Sequence, residues 1–229
     1  MSPLLFFIAG FPVAFALDRA ILALSTPAPA DDSADGPRPP AALEERALPW
    51  QVGPWPSRIR LAVVALAPGL MAIAGWRFDL AQALVVSSLL AALLICTGTD
   101  LIQFRVPNVV TYPGTALVLL AALVLPDGDV ASGLVAAALF GGLALVASIL
   151  TRGGLGLGDV KLAVLIGAGL GVSAAYQALV LGVLAGGVTI LALFLLGVVS
   201  RKQAVPYAPF LALAAMAVVL ARGAAFAPL

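Results

Sequence analysis

Two aspartates, Asp100 and Asp159, stand out because each adjoins a long apolar run, where a carboxylate is costly. Asp100 ends the run ALVVSSLLAALLICTGTD, and Asp159 follows the glycine-rich stretch TRGGLGLG. Two carboxylates that lie close together cannot both ionise easily, so such a pair tends to share one proton. A pair of this kind can hydrolyse a peptide bond, because the ionised acid activates water while the protonated acid polarises the scissile carbonyl.

Taken singly, each aspartate also has a purely structural interpretation. Asp100 would be a solvated helix-end residue with Arg105 as its partner. Asp159 would cap the N-terminus of a helix or form a local ion pair with Lys161. The catalytic interpretation depends on the two acids meeting in the fold.

Residues around the two aspartates complete the candidate site. Gly156 and Gly158 would let an extended substrate backbone approach Asp159, although a plain flexible linker also explains them. Lys161 would bias the proton sharing or anchor its helix at the lipid headgroups. Pro107 and Asn108 would shape a helix start, since proline suits a first turn and asparagine can cap it.

Composition places these residues in a membrane protein. The chain is 62% hydrophobic and 10% charged, which leaves too little polar surface to cover a water-soluble globule. It contains no histidine, which excludes histidine-based general base chemistry and most zinc catalysis, and its single cysteine, Cys96, excludes a disulfide framework. A net charge of +1 gives no basis for nucleic acid binding. We expect no cofactor and no metal.

The apolar runs predict an all-α, polytopic membrane protein embedded in the lipid bilayer. A bilayer core requires roughly 20 apolar residues per helix. Eight such spans can be read from the sequence, at about 4–24, 59–76, 80–99, 108–126, 130–150, 159–173, 175–199 and 205–222. The alternative count is seven, because only Gly171 and Ser173 mark the boundary between the sixth and seventh spans.

The distribution of positive charge predicts the orientation. Ten of the twelve Lys and Arg residues fall at the connections after odd-numbered spans and their flanks, and only Arg77 and Arg222 fall on the opposite face. The positive-inside rule therefore places both aspartates at the cytoplasmic face of the inner (cytoplasmic) membrane, with the N-terminus outside. We expect residues 1–24 to be a retained transmembrane helix, 25–58 a Pro-rich cytoplasmic loop without a zinc site, and 59–229 the catalytic core.

Three segments resemble the signatures of the type IV prepilin peptidases, which are polytopic aspartic proteases. GLGLGDVKLAVLIG at 154–167 resembles the GxGD signature, and TDLIQFRVPNVVTYP at 99–113 resembles the signature with the other aspartate. VPYAPFLALAA at 205–215 resembles the Pro-x-x-Pro-Phe-Leu stretch of the final span, although Ala208 stands where the family often has glycine. Together they cover most of 80–217, in the family's order.

The resemblance implies a function and its limits. It implies that Asp100 and Asp159 are the catalytic dyad and that the substrate is the N-terminal leader of prepilins or pseudopilins, cut at the cytoplasmic membrane face. Bifunctional relatives carry two Cys-x-x-Cys pairs in the first cytoplasmic loop and also N-methylate the product, whereas residues 25–58 contain no cysteine. We therefore expect cleavage, as in type IV pilus or type II secretion systems, without methylation. The sequence does not indicate the oligomeric state.

The alternative from another functional class is a polytopic transporter. In that interpretation Asp100 and Asp159 form a proton or cation relay, since intramembrane carboxylates also mark ion pathways. No repeat of the 80–110 segment is evident in the second half of the chain. Asp-dependent flux without proteolysis would identify a transporter.

Overall fold

A computed structural model of the protein describes residues 3–25, 55–151, 155–199 and 205–228. Most of the predicted cytoplasmic loop, residues 26–54, lies outside these ranges, so the loop stays a prediction. The expected all-α fold is confirmed. The described ranges form eight helices and one short antiparallel strand pair, which are α1 Pro3–Ser25, α2 Trp55–Ala65, α3 Ala67–Arg77, α4 Leu80–Gln103, α5 Asn108–Val124, α6 Val130–Leu150, α7 Leu157–Leu195, α8 Ala208–Arg222, β1 Gly223–Ala224 and β2 Ala227–Pro228.

Five helical segments among the described residues are long and apolar enough to cross a membrane, and α5 and α8 are shorter apolar helices. One of the five, Pro56–Arg77, consists of α2 and α3, which correspond to the single predicted span 59–76. The helix is interrupted at Leu66 because Pro68, near the start of α3, has no backbone N–H to donate to the preceding turn. Proline here breaks a helix inside one membrane crossing.

Helix α7 is 39 residues long but reverses direction at Gly171, where φ is 74° and ψ is 176°. A straight helix would separate Asp159 from Val183 by about 36 Å. Both residues instead line one cavity, so the arm 172–195 folds back along the arm 157–170. The two arms correspond to the sixth and seventh predicted spans, which gives eight apolar helical segments within the described chain.

Hydrogen bonds from neighbouring segments fix this reversal. The backbone N–H of Val172 donates to Ser132 Oγ at 3.0 Å, which ties the second arm to the start of α6. The N–H of Ala225, in the turn between β1 and β2, donates to the carbonyl of Gly169 at 2.9 Å. The carbonyl of Ala225 accepts from Asp129 N–H at 2.7 Å. The C-terminal strand pair therefore satisfies backbone groups that the break in α7 would leave unpaired.

Small residues allow the helices to approach closely, as is common between helices in membranes. A Cβ built on Gly167 would lie 2.7 Å from the backbone of Ala136, so the first arm of α7 lies directly against α6. A Cβ built on Gly182 would lie 2.9 Å from the Cα of Leu211, so the second arm lies directly against α8.

Candidate active site

Asp100 lies in the last turn of α4. The helix ends at Phe104, which has left-handed backbone angles (φ 55°, ψ 40°) and donates its N–H to the Asp100 carbonyl at 2.9 Å. This stop leaves the Asp100 side chain inside the bundle, where the residue is only 6% exposed. A carboxylate buried to this extent requires a polar partner.

The partner is the start of α8. The backbone N–H of Ala208, the first residue of that helix, donates to Asp100 Oδ2 at 3.1 Å. The N-terminus of a helix carries unpaired N–H groups and the positive end of the helix dipole, so it suits a carboxylate. The interpretation of Asp100 as a solvated helix-end residue partnered by Arg105 is therefore wrong.

Asp159 lies in the first turn of α7. The N-cap of this helix is Gly156, whose carbonyl accepts the Asp159 N–H at 3.0 Å. Asp159 is consequently the third helical residue, and the interpretation of it as the N-cap is wrong. The Asp159 carboxylate lies against the backbone of Gly156, the N-cap residue, and also lines the cavity described below.

The two predicted site glycines have different surroundings. A Cβ on Gly156 would lie 3.5 Å from Asp159 Oδ2, so this glycine leaves the space beside the carboxylate open. A Cβ on Gly158 would lie 3.0 Å from Val106 Cγ2, in the connection between α4 and α5. The small size of Gly158 therefore has a packing reason that is independent of any substrate.

The structure brings Asp100 and Asp159 together. The two residues are 59 positions apart in the sequence, yet Asp100 bonds to the N–H of Ala208 while Asp159 lines a cavity together with the neighbouring residue Tyr207. The pair is formed by the end of α4 and the beginning of α7, with the beginning of α8 beside it. Such a pair is suited to sharing one proton, and its catalytic role stays a prediction.

Beside the two aspartates, Lys161 joins α7 to the start of α5, where Pro107 and Asn108 lie. Lys161 Nζ donates to Asn108 Oδ1 at 2.6 Å and lies 5.7 Å from the ring centroid of Tyr112. The predicted local pair of Lys161 with Asp159 is thus replaced by a bond from α7 to α5. Pro107 is the N-cap of α5 and accepts from Val110 N–H at 3.1 Å, so Asn108 is not the cap.

Tyr207, just before α8, was missed by the sequence analysis. Its hydroxyl donates to the carbonyl of Val183 at 3.0 Å, and its ring lies against Gly186. Tyr207 stands inside the quoted stretch VPYAPF, but no local pattern distinguishes it from an ordinary interfacial tyrosine.

A cavity of about 370 Å³ adjoins Asp159, between α6, both arms of α7 and the start of α8. Its lining is apolar except for one carboxylate and two tyrosines, and comprises Phe140, Leu143, Ala144, Ala147, Leu155, Asp159, Ala163, Tyr176, Leu179, Val180, Val183, Leu184, Tyr207 and Leu211. Across the described ranges, no group of three or more Cys, Asp or Glu side chains is placed to hold a metal ion. The geometry thus places Asp159 beside an apolar space, with Asp100 nearby at the start of α8.

Comparison with known proteins gives a family match for the central part of the chain. A sequence model of the type IV leader peptidase family matches residues 87–191, which include both aspartates. The chain is also 36% identical over 145 residues to the prepilin leader peptidase/N-methyltransferase of Bacillus subtilis (strain 168). That match covers 62% of this chain and 58% of the relative. No solved structure matches the chain.

Proposed function

We propose that this chain, whose residues 87–191 belong to the type IV leader peptidase family, is a membrane aspartic endopeptidase that removes the N-terminal leader of type IV prepilins or pseudopilins. The observation that carries the proposal is that Asp100 and Asp159 both lie beside the start of α8 and both lie in the matched residues. Because the match covers only 58% of the relative, the substrate and the reaction are both proposals for this chain.

In the proposed reaction the two carboxylates share the chemistry of water attack. The ionised aspartate takes a proton from water as the water oxygen bonds to the scissile carbonyl carbon. The protonated aspartate donates a hydrogen bond to the carbonyl oxygen, where negative charge develops. Collapse of the tetrahedral intermediate breaks the C–N bond, and the leaving amine takes up a proton from the dyad. The N–H of Ala208 holds the Asp100 carboxylate in place throughout.

Charge distribution supports a cytoplasmic position for the site. Arg105 and Lys161 lie at the same end of the bundle as the two aspartates. Arg77 lies at the other end, where its guanidinium donates to the carbonyl of Ala221 at 3.3 Å, next to Arg222. The excess of positive charge at the aspartate end is what the positive-inside rule associates with the cytoplasm.

We further propose that cleavage is not followed by N-methylation. The name of the Bacillus subtilis relative includes N-methyltransferase. In this chain, however, Cys96 is the single cysteine, and it is buried in α4. The loop 25–58 therefore has no thiolate that could hold the zinc expected in bifunctional members.

The cavity favours a polypeptide substrate over a transported ion. An ion pathway requires a sequence of polar groups or water-filled space. The space beside Asp159 is instead lined by aliphatic and aromatic side chains. Such a lining would bind apolar side chains of a substrate that the carboxylates cut.

Co-expression with a candidate prepilin in a host without its own leader peptidase tests the proposal. We expect mass spectrometry of the product to show a shortened, unmethylated N-terminus. An intact leader in the presence of membrane-inserted enzyme would contradict peptidase activity. A shortened but methylated terminus would contradict only the proposal on methylation.

A further inference from the structure

We infer that the cavity beside Asp159 is a groove for an apolar, membrane-embedded segment of the polypeptide substrate, which enters sideways from the lipid between α6 and the second arm of α7. The inference rests on the proposed peptidase function and adds the position, the entry route and the chemistry of a substrate-binding site. Hereafter the groove means the cavity whose lining residues are given above.

The groove extends from the aspartate level into the hydrocarbon region. Val183 marks the aspartate level, because its carbonyl accepts from Tyr207, which also lines the groove beside Asp159. Tyr176 lines the same groove seven residues earlier on the second arm, about 10 Å further along the helix axis. The groove therefore runs parallel to the helices, in the direction that a membrane-inserted segment would follow.

The mouth of the groove opens towards the lipid. Leu143 is 63% exposed, Tyr176 is 60% exposed and Leu184 is 59% exposed, although all three line the groove. On a membrane protein, exposed apolar side chains at mid-helix positions face acyl chains. A substrate already anchored in the bilayer can therefore reach Asp159 by lateral diffusion, without leaving the hydrocarbon region.

The occupant is a polypeptide segment because the groove adjoins Asp159, one member of the proposed catalytic pair. Its volume of about 370 Å³ lies within the range of roughly 300–1,000 Å³ that is typical of ligand sites. Gly156 presents no side chain to the Asp159 carboxylate. Apolar side chains next to the scissile bond can then fill the groove, whereas a charged side chain there would be buried without a partner.

A groove-filling variant with a matched control tests the inference. Ala144→Phe adds a ring inside the groove, whereas Ala138→Phe adds the same ring to an exposed position of α6 that does not line it. We expect Ala144→Phe to lower kcat/KM by about tenfold or more for a membrane-anchored prepilin, mainly through KM, and by less for a peptide truncated in its apolar segment. Ala138→Phe should change neither value. Equal losses for both substrates, or no loss for the anchored one, would overturn the inference.

Photo-crosslinking provides a test without added bulk in the groove. A photoreactive phenylalanine at Leu143 should crosslink to the apolar segment of an uncleaved prepilin, whereas the same group at Leu145, on another face of α6, should not. Crosslinking to lipid alone at both positions would overturn the inference that the groove binds the substrate. If the wild-type chain cleaves prepilin but these tests fail, only the groove is wrong. If the wild-type chain cleaves no substrate, the proposed function itself is wrong.

Discussion

Tyr207 and Ala208 connect the two halves of the candidate site at the level of single residues. The N–H of Ala208 holds Asp100 at 3.1 Å, and the Tyr207 side chain lies in the groove with Asp159. The Tyr207 hydroxyl also ties the start of α8 to the second arm of α7 through the carbonyl of Val183. These two neighbouring residues therefore join the surroundings of Asp100 to those of Asp159.

Removal of the Tyr207 hydroxyl should weaken catalysis without removing the ring. Tyr207→Phe breaks the bond to the Val183 carbonyl, which is worth about 0.5–1.5 kcal/mol. We expect kcat to fall about two- to tenfold with KM little changed, since the start of α8 is then held less firmly against Asp100. Steady-state kinetics at equal amounts of inserted enzyme would measure the change. A kcat equal to that of the wild type would show that the Tyr207 hydroxyl does not contribute to catalysis.

The bond between Lys161 and Asn108 should stabilise the fold more than it affects the chemistry. Lys161→Met and Asn108→Ala each remove one partner of the 2.6 Å contact between α7 and α5. A double-mutant cycle should give a coupling free energy of unfolding of roughly 0.5–1 kcal/mol, because the pair is exposed and partly screened. Unfolding in detergent micelles provides the measurement. Additive single effects would show that the two side chains do not interact.

At the element scale, the reversal of α7 depends on one glycine. The angles of Gly171 fall in a region that is essentially restricted to glycine, and a Cβ there would lie 2.8 Å from Ser132 Oγ. We expect Gly171→Ala to lower stability by about 1–3 kcal/mol. Gly187→Ala is the matched control, since a Cβ on Gly187 in the same helix meets nothing within 4 Å. Equal unfolding midpoints for the two variants would show that the turn tolerates a side chain.

The elements were largely predictable from the sequence, but their local ends were not. Long apolar runs separated by glycine, proline and charged residues predict the spans. A chain segment inside a bilayer must satisfy its own backbone hydrogen bonds, which favours a helix. The stop of α4 at Phe104 and the N-cap at Gly156 were not predicted. Both depend on which backbone groups find partners in neighbouring helices, and the sequence does not display those partners.

At the scale of the whole molecule, the meeting of Asp100, Asp159 and the start of α8 unites three distant parts of the chain. Asp100 and Asp159 could be identified in the sequence, because both are acidic residues at the ends of predicted helices. The third is a backbone N–H of Ala208, whose position carries no chemical signal in the sequence. The groove was likewise not predicted, since it forms only when α7 folds back between α6 and α8.

Orientation in the membrane is a property of the whole molecule and can be tested with single cysteines. In a Cys96→Ala background, Thr151→Cys lies at the aspartate end and Asp127→Cys lies at the opposite end, and both positions are exposed. We expect an impermeant maleimide to label position 127 in intact cells and position 151 only after permeabilisation. The reverse pattern would place the aspartates outside the cytoplasm.

The pair of carboxylates is tested most directly by replacing each with its neutral isostere. Asp100→Asn and Asp159→Asn preserve size and, at position 100, an oxygen that can accept the Ala208 N–H. The measurement is prepilin cleavage by enzyme purified into proteoliposomes, with unfolding midpoints as the control for folding. We predict that each variant stays folded and loses cleavage by about a thousandfold or more. Cleavage near the wild-type rate by either variant would contradict the assignment of Asp100 and Asp159 as the catalytic pair.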